Sequence, residues 1–264
     1  MKNTRLAVLS IFSLLAFATA CKKNSSSPNQ GNTTTGKMVR ILQGTDPDIT
    51  NDTVYLISYD ASGKITSLID SLNLDTLAAS YDASGNLTAI TDKSAYPQYD
   101  MNGSFTYDGS NHLTQMDYNL AGSAERYTFD YTSGVVSKKS YYSNLGSGPL
   151  TLQNYYTYTL SGNNITDIKF YSSGGALLAE GTATYGSQAN PFKTLSLFNF
   201  GDRLGLDGIA PIESFFNSNI NAAVSTSGLS ATANVTYDSK QQLSKIVVTD
   251  NINGDLLTWQ FTFK

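Results

Sequence analysis

Hydrophobic and polar residues alternate in short runs through most of the chain, and each run ends in a polar turn that usually contains glycine. In one such unit, the run Val-Tyr-Leu-Ile-Ser-Tyr at 54–59 leads into Asp60, and the chain resumes after Gly63 with Lys-Ile-Thr-Ser-Leu. Alternation on both sides of a short turn is typical of a β-hairpin. Asp60 can accept backbone N–H groups and Gly63 can adopt the left-handed conformation, so the unit predicts a type I turn closed by a glycine bulge.

The same unit recurs along the chain. Residues 58–68 (SYDASGKITSL) and 80–90 (SYDASGNLTAI) are almost identical, and the pattern returns at 106–116 (TYDGSNHLTQM) and 236–246 (TYDSKQQLSKI), with three weaker copies in between. A recurring period indicates one supersecondary unit used many times. The spacing is 22 to 27 residues, except for a last gap of 52, which is close to two periods. The anchor tyrosines of the seven copies are Tyr59, Tyr81, Tyr107, Tyr131, Tyr158, Tyr185 and Tyr237.

Seven hairpins predict an all-β protein. We predict an antiparallel meander of about seven hairpins that curls into a barrel or a strongly twisted sheet. One short helix is expected near 210–217, because Pro211 can occupy a first helical turn and Ile212, Phe215 and Phe216 fall on one face.

The return strands carry a spacing that simple alternation does not explain. Aliphatic residues stand three positions apart, whereas residues on one face of a strand are two apart. We expect the first of each pair to cover the bulged turn and the second to point to the opposite face. The pairs are Ile65 and Leu68, Leu87 and Ile90, Leu113 and Met116, Ile165 and Ile168, and Leu243 and Ile246.

The N-terminal segment has the layout of an export signal. Lys2 and Arg5 precede an apolar run, and small residues at 18–20 stand directly before Cys21, the only cysteine. This arrangement resembles a bacterial lipobox, so we predict lipidation of Cys21 and a membrane contact through that anchor. The alternative is an ordinary secreted protein with a stray thiol. The predicted organisation is a lipoprotein signal peptide at 1–20, a disordered polar tether at 21–37 and a single β-hairpin domain at 38–264.

The charge balance excludes one class of partner. Loss of residues 1–20 leaves 15 Lys and Arg against 21 Asp and Glu, a formal net charge of −6. Nucleic-acid binding lacks its electrostatic footprint, since the sequence has no basic cluster larger than the pairs Lys22-Lys23 and Lys138-Lys139. The segment after Cys21 is basic and polar, which favours the periplasmic face of the outer membrane over the cell surface. A disulfide framework is excluded by the single cysteine.

The repeats resemble two known groups. The unit Y-D-x-x-G-x-[LI]-T-x-[LI] is similar to the YD repeat of Rhs-type and teneurin shells, although this chain is much shorter and lacks their self-cleaving core. With Cys21, Asn190-Pro191-Phe192, Ser218-Asn219 and the final TYDSKQQLSKI, the hairpins also resemble a family of Bacteroidetes lipoproteins of unknown function with a porin-like β fold. The resemblance covers most of 38–264. It implies that fold and brings no catalytic residues.

A membrane-spanning barrel is the alternative arrangement of the same strands. Trp259, Phe261 and Phe263 alternate near the C-terminus, as they do in outer-membrane strands. A lipid anchor and a tether would be redundant for such a barrel, and many predicted strands carry polar residues on both faces. We therefore prefer a lipid-tethered domain outside the bilayer.

Residues that suggest metal binding have simpler explanations. His112 is the only histidine and lies in a hairpin turn, where no second His or Cys can join it. Asp46, Asp48 and Asp52 lack the spacing of a calcium loop and are interpreted as a solvated turn. The stretch 250–255 places Ile252 at a ligand position and is interpreted as a hairpin turn. We predict no metal site and no cofactor.

Carboxylates that could form a catalytic pair also have structural explanations. The aspartates of the repeats serve the turns, and Glu180 and Glu213 are the only glutamates after Glu125. Apolar neighbours in the predicted helix would raise the pKa of Glu213, but we prefer to place it on a solvated face. We predict no catalytic residues and no enzyme activity.

Tyrosine is the one excess that suggests function, with 17 tyrosines against one tryptophan. Regular repetition favours a structural ladder for the anchor tyrosines, one per hairpin. Tyrosines outside the repeat are the better candidates for contact with a ligand or partner, since aromatic rings dominate such surfaces. These candidates are Tyr96, Tyr99, Tyr141, Tyr142, Tyr155 and Tyr171.

The sequence leaves three functions open. The first is a lipid-anchored lipoprotein of the cell envelope whose β domain is a non-catalytic binding or scaffold module for a protein or a glycan. The second is a carrier, in which a hollow barrel holds a small molecule or lipid. The third is a hydrolase of envelope polysaccharide, which would need two carboxylates converging in a cleft.

Overall fold

The computed structural model describes residues 37–44, 53–72, 75–120, 122–144, 148–161, 164–182, 225–226, 231–240, 242–250 and 256–264. Several expectations fall outside these ranges. They are the signal peptide, Cys21 and nearly all of the tether, the aspartates of 46–52, the anchor Tyr185 and the helix near 210–217. The predicted domain boundaries stay predictions.

The described residues form sixteen strands. The strands are β1 (Met38–Gly44), β2 (Thr53–Tyr59), β3 (Ile65–Asp70), β4 (Asp75–Tyr81), β5 (Leu87–Ser94), β6 (Met101–Tyr107), β7 (Leu113–Leu120), β8 (Ser123–Thr132), β9 (Val135–Asn144), β10 (Thr151–Ser161), β11 (Asn164–Ser172), β12 (Leu177–Thr182), β13 (Ser225–Thr226), β14 (Ala231–Tyr237), β15 (Leu243–Asp250) and β16 (Leu256–Phe263). A 3-10 helix, Pro97–Tyr99, connects β5 to β6 and was not predicted.

All of these strands belong to one antiparallel sheet, which confirms the predicted meander. β1 lies inside the sheet between β2 and β16. The strands follow chain order from β2 to β13 on one side of β1 and from β16 back to β14 on the other. β13 and β14 are the two edges, and no ladder joins them within the described part of the chain.

The sheet has two chemically different ends. Because neighbours are antiparallel, the hairpin turns after β2, β4, β6, β8, β10 and β14 lie together at one end, which we call the turn end. The connections after β3, β5, β7, β9 and β11 lie at the opposite end, the loop end. The Lys37 amide donates to the Lys264 carbonyl at 2.7 Å, and the Lys264 amide donates back to Lys37 at 2.9 Å. The domain therefore begins and ends at the turn end.

A β-bulge explains the three-residue spacing of the aliphatic residues. In the β2–β3 hairpin, Ser58 pairs with Ser67 and Tyr59 pairs with Ile65, so Thr66 is an extra residue on β3. An extra residue shifts the alternation by one position. Ile65 and Leu68 consequently face the same side, and both are buried in the core. The expectation that the two aliphatics of a pair face opposite sides is wrong.

The extra residue of each bulge has a hydroxyl group in six hairpins. In five of them this hydroxyl donates to a backbone carbonyl on the facing strand, from Thr88 to Ser80 at 3.2 Å and from Thr114 to Thr106 at 3.1 Å, for example. The bond ties the bulge to its partner strand where the regular ladder is interrupted. The bulged residues are Thr66, Thr88, Thr114, Ser137, Thr166 and Ser244.

The inward-facing side chains pack into one hydrophobic cluster that runs from β1 through β10 and includes β15 and β16. Trp259 and Tyr118 are the largest side chains that are fully buried in it. Tyr118 fits because its cross-strand neighbour is Gly103. A Cβ atom at Gly103 would lie 2.6 Å from Ile90 Cγ1 and 2.9 Å from Tyr118 Cε1. Glycine at this position therefore lets the ring of Tyr118 lie across β6.

Two glycines in equivalent turns should respond oppositely to alanine. Gly85 has a φ of +90°, whereas Gly109 has no positive φ and would place a Cβ in open space. We expect Gly85→Ala to lower the free energy of unfolding by about 1–2 kcal/mol, since the left-handed conformation is costly with a Cβ atom. Gly109→Ala should be neutral or should raise it by about 0.4–1 kcal/mol. Denaturant unfolding measures both, and an equal loss in the two variants would contradict this account of the turn.

Candidate functional site

Three anchor tyrosines, Tyr81, Tyr107 and Tyr131, each join their hairpin to the one before it. The ladder between β3 and β4 ends at Ser67, two residues before the turn end of β3. The hydroxyl of Tyr81 takes over there and donates to the Ile65 carbonyl at 2.7 Å. The same bond runs from Tyr107 to the Leu87 carbonyl at 3.1 Å and from Tyr131 to the Leu113 carbonyl at 2.9 Å. In these three hairpins the anchor tyrosine contributes a hydrogen bond between neighbouring hairpins.

The turn aspartates hold the turns, as the sequence predicts. One carboxylate oxygen of Asp60 accepts the Lys64 amide at 2.9 Å, and Asp108 accepts the amides of Ser110 and His112 at 2.9 and 2.8 Å. The Lys64 amide, which stabilises the charged form, lowers the pKa of Asp60. The same bond in the equivalent turns lowers the pKa of Asp82 and of Asp108.

In two turns a third residue covers the tyrosine of the next hairpin, and Lys37, which precedes β1, covers the tyrosine of the first hairpin in the same way. The Nζ atom of Lys64 lies 5.1 Å from the ring centre of Tyr81, and Lys37 lies 5.3 Å from that of Tyr59. Such placement is a cation–π interaction. His112 has the position of Lys64 in its own hairpin and stacks on Tyr131 with the ring centres 4.5 Å apart. The only histidine therefore has a structural task that sequence reasoning did not find.

These surroundings change the ionisation of the tyrosines. Burial, with a smaller effect from the aspartate of the preceding turn, raises the pKa of Tyr81 and of Tyr107 to about 12. Burial next to Asp108 raises the pKa of Tyr131 to about 12 as well. The pKa of Tyr59 is also raised by burial. The neutral hydroxyl, which is the form that donates to the carbonyl, is favoured in each case.

Removal of one ladder hydroxyl should weaken the fold measurably. Tyr107→Phe keeps the ring and leaves the Leu87 carbonyl without this donor, so we expect the free energy of unfolding to fall by about 1 kcal/mol. Tyr96→Phe is the matched control, because Tyr96 is 56% exposed and lies away from the ladder. Denaturant unfolding of the two variants makes the comparison. Equal stability of Tyr107→Phe and wild type would show that the bond from Tyr107 to the Leu87 carbonyl does not stabilise the fold.

The raised pKa values predict loss of stability in alkali. Below pH 10 the tyrosines are neutral in the folded and the unfolded chain. Between pH 10 and about 12 they ionise in the unfolded chain while Tyr81, Tyr107 and Tyr131 stay protonated in the folded protein. The free energy of unfolding should therefore fall as the pH rises through this window. Denaturant unfolding at a series of pH values tests this, and Tyr107→Phe should show a shallower fall than wild type.

The six tyrosines predicted as a binding surface do not form one site. Tyr96 lies in the connection between β5 and β6, and Tyr99 belongs to the 3-10 helix. Tyr141 faces inward, where its ring stacks on Tyr127 at 5.0 Å. Three others, Tyr142, Tyr155 and Tyr171, point to the outer face of β9, β10 and β11.

A row of stacked side chains crosses the outer face from Lys138, in the half of β9 near the turn end, to Tyr171 and Leu177 at the loop end of β11 and β12. The rings of Tyr155 and Tyr171 are nearly parallel, with an interplanar angle of 11° and centres 4.9 Å apart. Lys138 Nζ lies 4.6 Å from the ring centre of Tyr155, and Leu177 lies directly across from Tyr171 on β12. We call Lys138, Tyr155, Tyr171 and Leu177 the outer tyrosine row. It joins four successive strands, β9 to β12.

Tyr171 also begins a turn that the sequence analysis missed. Ser172 replaces the aspartate: its amide donates to the Ala176 carbonyl at 2.9 Å, and its hydroxyl accepts the Ala176 amide at 3.1 Å. Gly175 has a φ of +86°, as the equivalent glycines do. This copy of the turn lies at the loop end, so its tyrosine faces outward rather than into the core. Serine in place of aspartate concealed the copy, and the separation of Tyr171 from the repeat pattern is wrong.

One anchor was aligned two residues too early. The β10–β11 register pairs Leu160 with Ile165, the first aliphatic of the return strand, so Leu160 has the place that Tyr59 has in the first hairpin. Tyr158 pairs instead with Ile168 and is buried in the core. Tyr237 does pair with the first aliphatic, Leu243.

The outer tyrosine row lies in an apolar part of the outer face. Leu177 and Leu178 are 51% and 56% exposed, and the outward residues Tyr142 and Leu152 pair with each other nearby. Ser140, directly across from Tyr155, is buried although it faces outward. The outer faces of β4 and β6 differ, since they expose Ala78, Ser80, Asn102 and Ser104.

Hydrogen bonds of two charged residues, Asp70 and Arg126, hold local structure. Asp70 is buried and accepts the Leu72 amide at 2.9 Å, which holds the connection after β3. Arg126 Nε donates to Asp117 at 2.6 Å between β7 and β8. Within the described ranges, His, Cys, Asp and Glu side chains form no group of three that would hold a metal ion. The described part of the chain also has no helix long and apolar enough to cross a membrane.

Known proteins resemble this chain in structure and not in sequence. No family model matches the sequence, and no curated protein matches it. A porin-like protein from Bacteroides uniformis ATCC 8492 superposes with a TM-score of 0.54 at 15% identity, over 87% of this chain and 98% of that one. A porin-like protein from Bacteroides vulgatus ATCC 8482 gives 0.51 at 12% identity, over 87% and 99%. The chain has a porin-like β fold.

A third similarity is weaker. The TcdB2-TccC3-Cdc42 complex superposes with a TM-score of 0.33 at 14% identity, over 84% of this chain and 12% of that one. This score is too low to establish a shared fold. The likeness to the two porin-like proteins, at their low identity, concerns the fold alone.

Proposed function

We propose that the chain is a lipid-anchored lipoprotein of the bacterial cell envelope and that its β domain is a non-catalytic scaffold for a partner protein. The outer tyrosine row with Leu177 and Leu178 is the proposed contact surface. The observation that carries this choice is the contrast on the outer face, where aromatic and aliphatic side chains cluster on β9 to β12 while β4 and β6 expose small and polar ones. Clustered apolar exposure of this kind marks interaction surfaces.

The location rests on two supports. The residues before Cys21 resemble a lipobox, and an acylated cysteine with a polar tether would hold the domain at a membrane. Two solved structures that share this fold are porin-like proteins from Bacteroides. Polar outer faces on β4 and β6 suit a domain that stands in water and is held by its anchor.

A protein partner suits the surface better than a glycan. Sugars stack on the faces of aromatic rings, and one face of Tyr155 meets Lys138 while the other meets Tyr171. The row therefore presents ring edges, hydroxyl groups and leucine side chains. Tyrosine is enriched at the centres of protein interfaces, where an apolar body and a polar tip are both useful.

The two other functions find less support. A hollow carrier needs an empty interior, whereas the inward side chains of β1 to β10, β15 and β16 pack into one cluster that includes Trp259 and Tyr118. A hydrolase needs a pair of convergent carboxylates, and Asp70 already serves the connection after β3. The turn aspartates Asp60 and Asp108 are occupied by backbone amides.

The scaffold function predicts a partner that depends on the proposed surface. Full-length protein extracted from its own membranes in gentle detergent should carry one partner protein in stoichiometric amount. Leu178→Asp should lose this partner, because it places a charge in the apolar surface, while Leu72→Asp should keep it. Both leucines are well exposed, at 56% and 69%, so neither change should disturb the fold. Mass spectrometry of the purified material makes the comparison.

Either of two results would contradict the scaffold. The wild-type protein would come out of the membrane alone, or Leu72→Asp and Leu178→Asp would lose the same partner equally. A bound lipid or small molecule without a protein partner would favour the carrier instead.

A further inference from the structure

The point where the chain enters the domain is fixed. Lys37 and Lys264 exchange two backbone hydrogen bonds, at 2.7 and 2.9 Å, and Lys37 Nζ lies over the ring of Tyr59. The segment that precedes Lys37 therefore leaves from the turn end, beside the first hairpin turn. The loop end lies a full strand length away. This length is about 26 Å for the eight residues of β5, at about 3.3 Å per residue.

The chain between the predicted lipid anchor and this point is short. Fifteen residues, 22–36, separate Cys21 from Lys37. A disordered segment of this length, as the sequence predicts, has a root-mean-square span of about 20–24 Å. Its fully extended reach is about 50 Å. Contact of the loop end with the bilayer would require the tether to span the whole side of the sheet, about 26 Å, which exceeds its root-mean-square span and costs conformational entropy.

Charge does not set the orientation of the domain. The turn end carries the cations of Lys64 and Lys240 among the turn aspartates Asp60, Asp82 and Asp238. The low pKa of Asp60 and of Asp82 keeps these carboxylates ionised near neutral pH. An anionic lipid surface therefore meets both signs of charge at this end. The orientation of the domain relative to the membrane therefore depends on where the tether is attached and how long it is.

The geometry points to a lipid surface as the neighbour of the turn end. On the proposed lipoprotein function, which this inference requires, the turns of 60–64, 82–86 and 108–112 face the bilayer. The loop end then points away from it. Four large apolar side chains are exposed at the loop end, namely Leu72, Tyr96, Leu177 and Leu178. Tyr171 and Leu177, the members of the outer tyrosine row that lie at the loop end, are thus held on the side of the domain that a partner protein reaches first.

Energy transfer to labelled lipids tests the orientation. Ala83 and Ser173 occupy the same place in two turns of the same design at opposite ends of the sheet, and both are exposed. Full-length Ala83→Cys and Ser173→Cys, purified with the native anchor, would each carry a fluorescent donor on the new thiol. The acceptor is a headgroup-labelled lipid in phosphatidylcholine vesicles. We expect greater loss of donor fluorescence at position 83 than at 173, both at low and at high salt.

A longer tether is the matched control. Insertion of a Gly-Ser segment after residue 30 should reduce the difference between the two positions, because the domain then turns more freely. Cys21→Ser without further change should fail to float with the vesicles, whereas the wild type should float.

The outcomes separate the orientation from the proposed function. Flotation that depends on Cys21, with greater quenching at 83, supports both. Flotation that depends on Cys21, with equal quenching or greater quenching at 173, overturns the orientation and leaves the lipoprotein intact. Flotation that does not depend on Cys21, or no flotation of the wild type, overturns the anchor and the orientation with it.

Discussion

The hydrogen bond from an anchor tyrosine to the carbonyl of the preceding hairpin is the constraint on which the turn end depends. A bulge in each return strand brings both aliphatic residues of the pair into the core, and it does so by interrupting the regular alternation. The ladder to the next hairpin stops two residues short of the turn, at Ser67 or Ala89, for instance. The tyrosine hydroxyl satisfies the carbonyl that this leaves, at Ile65 or Leu87. Core packing and hairpin docking are therefore parts of the same arrangement.

Local chemistry made the hairpins predictable, and register made the bulges unpredictable. The turn after Tyr59 follows from Asp60 and Gly63, whose behaviour depends only on their own backbone. The burial of both Ile65 and Leu68 depends on which residue of β2 faces each of them, and that information lies in the pairing of strands. The threonine of each repeat contained the signal, since a hydroxyl at the bulged position can bond the facing strand.

The tyrosines also show that strand register cannot be inferred from the sequence repeat alone. Counting from the aligned tyrosine misplaced the anchor of the β10–β11 hairpin, because the register there gives the position to Leu160. Tyr171 was set apart as a binding candidate although it begins a turn like the others, at the opposite end of the sheet. Sequence reasoning found which residues are unusual. It could not find the face of the sheet to which Tyr141 and Tyr142 each belong, since neighbours in a strand point in opposite directions.

The repeats serve as an internal comparison that separates structure from function. Lys64 and His112 occupy one position of the turn and perform one task, the covering of the next tyrosine, so neither needs a ligand to explain it. Repeated residues of this kind occupy the turn end almost completely. The outer face of β9 to β12 differs from that of β4 and β6, since Leu177 and Leu178 stand exposed near the tyrosine row whereas β4 and β6 expose small or polar residues. An exposed apolar side chain adds nothing to folding and lowers solubility, so a residue that departs from the repeat in this direction calls for a reason outside the fold. That reason is sought in a partner that binds at the loop end, beside the one copy of the turn, at 171–176, that the described residues place there.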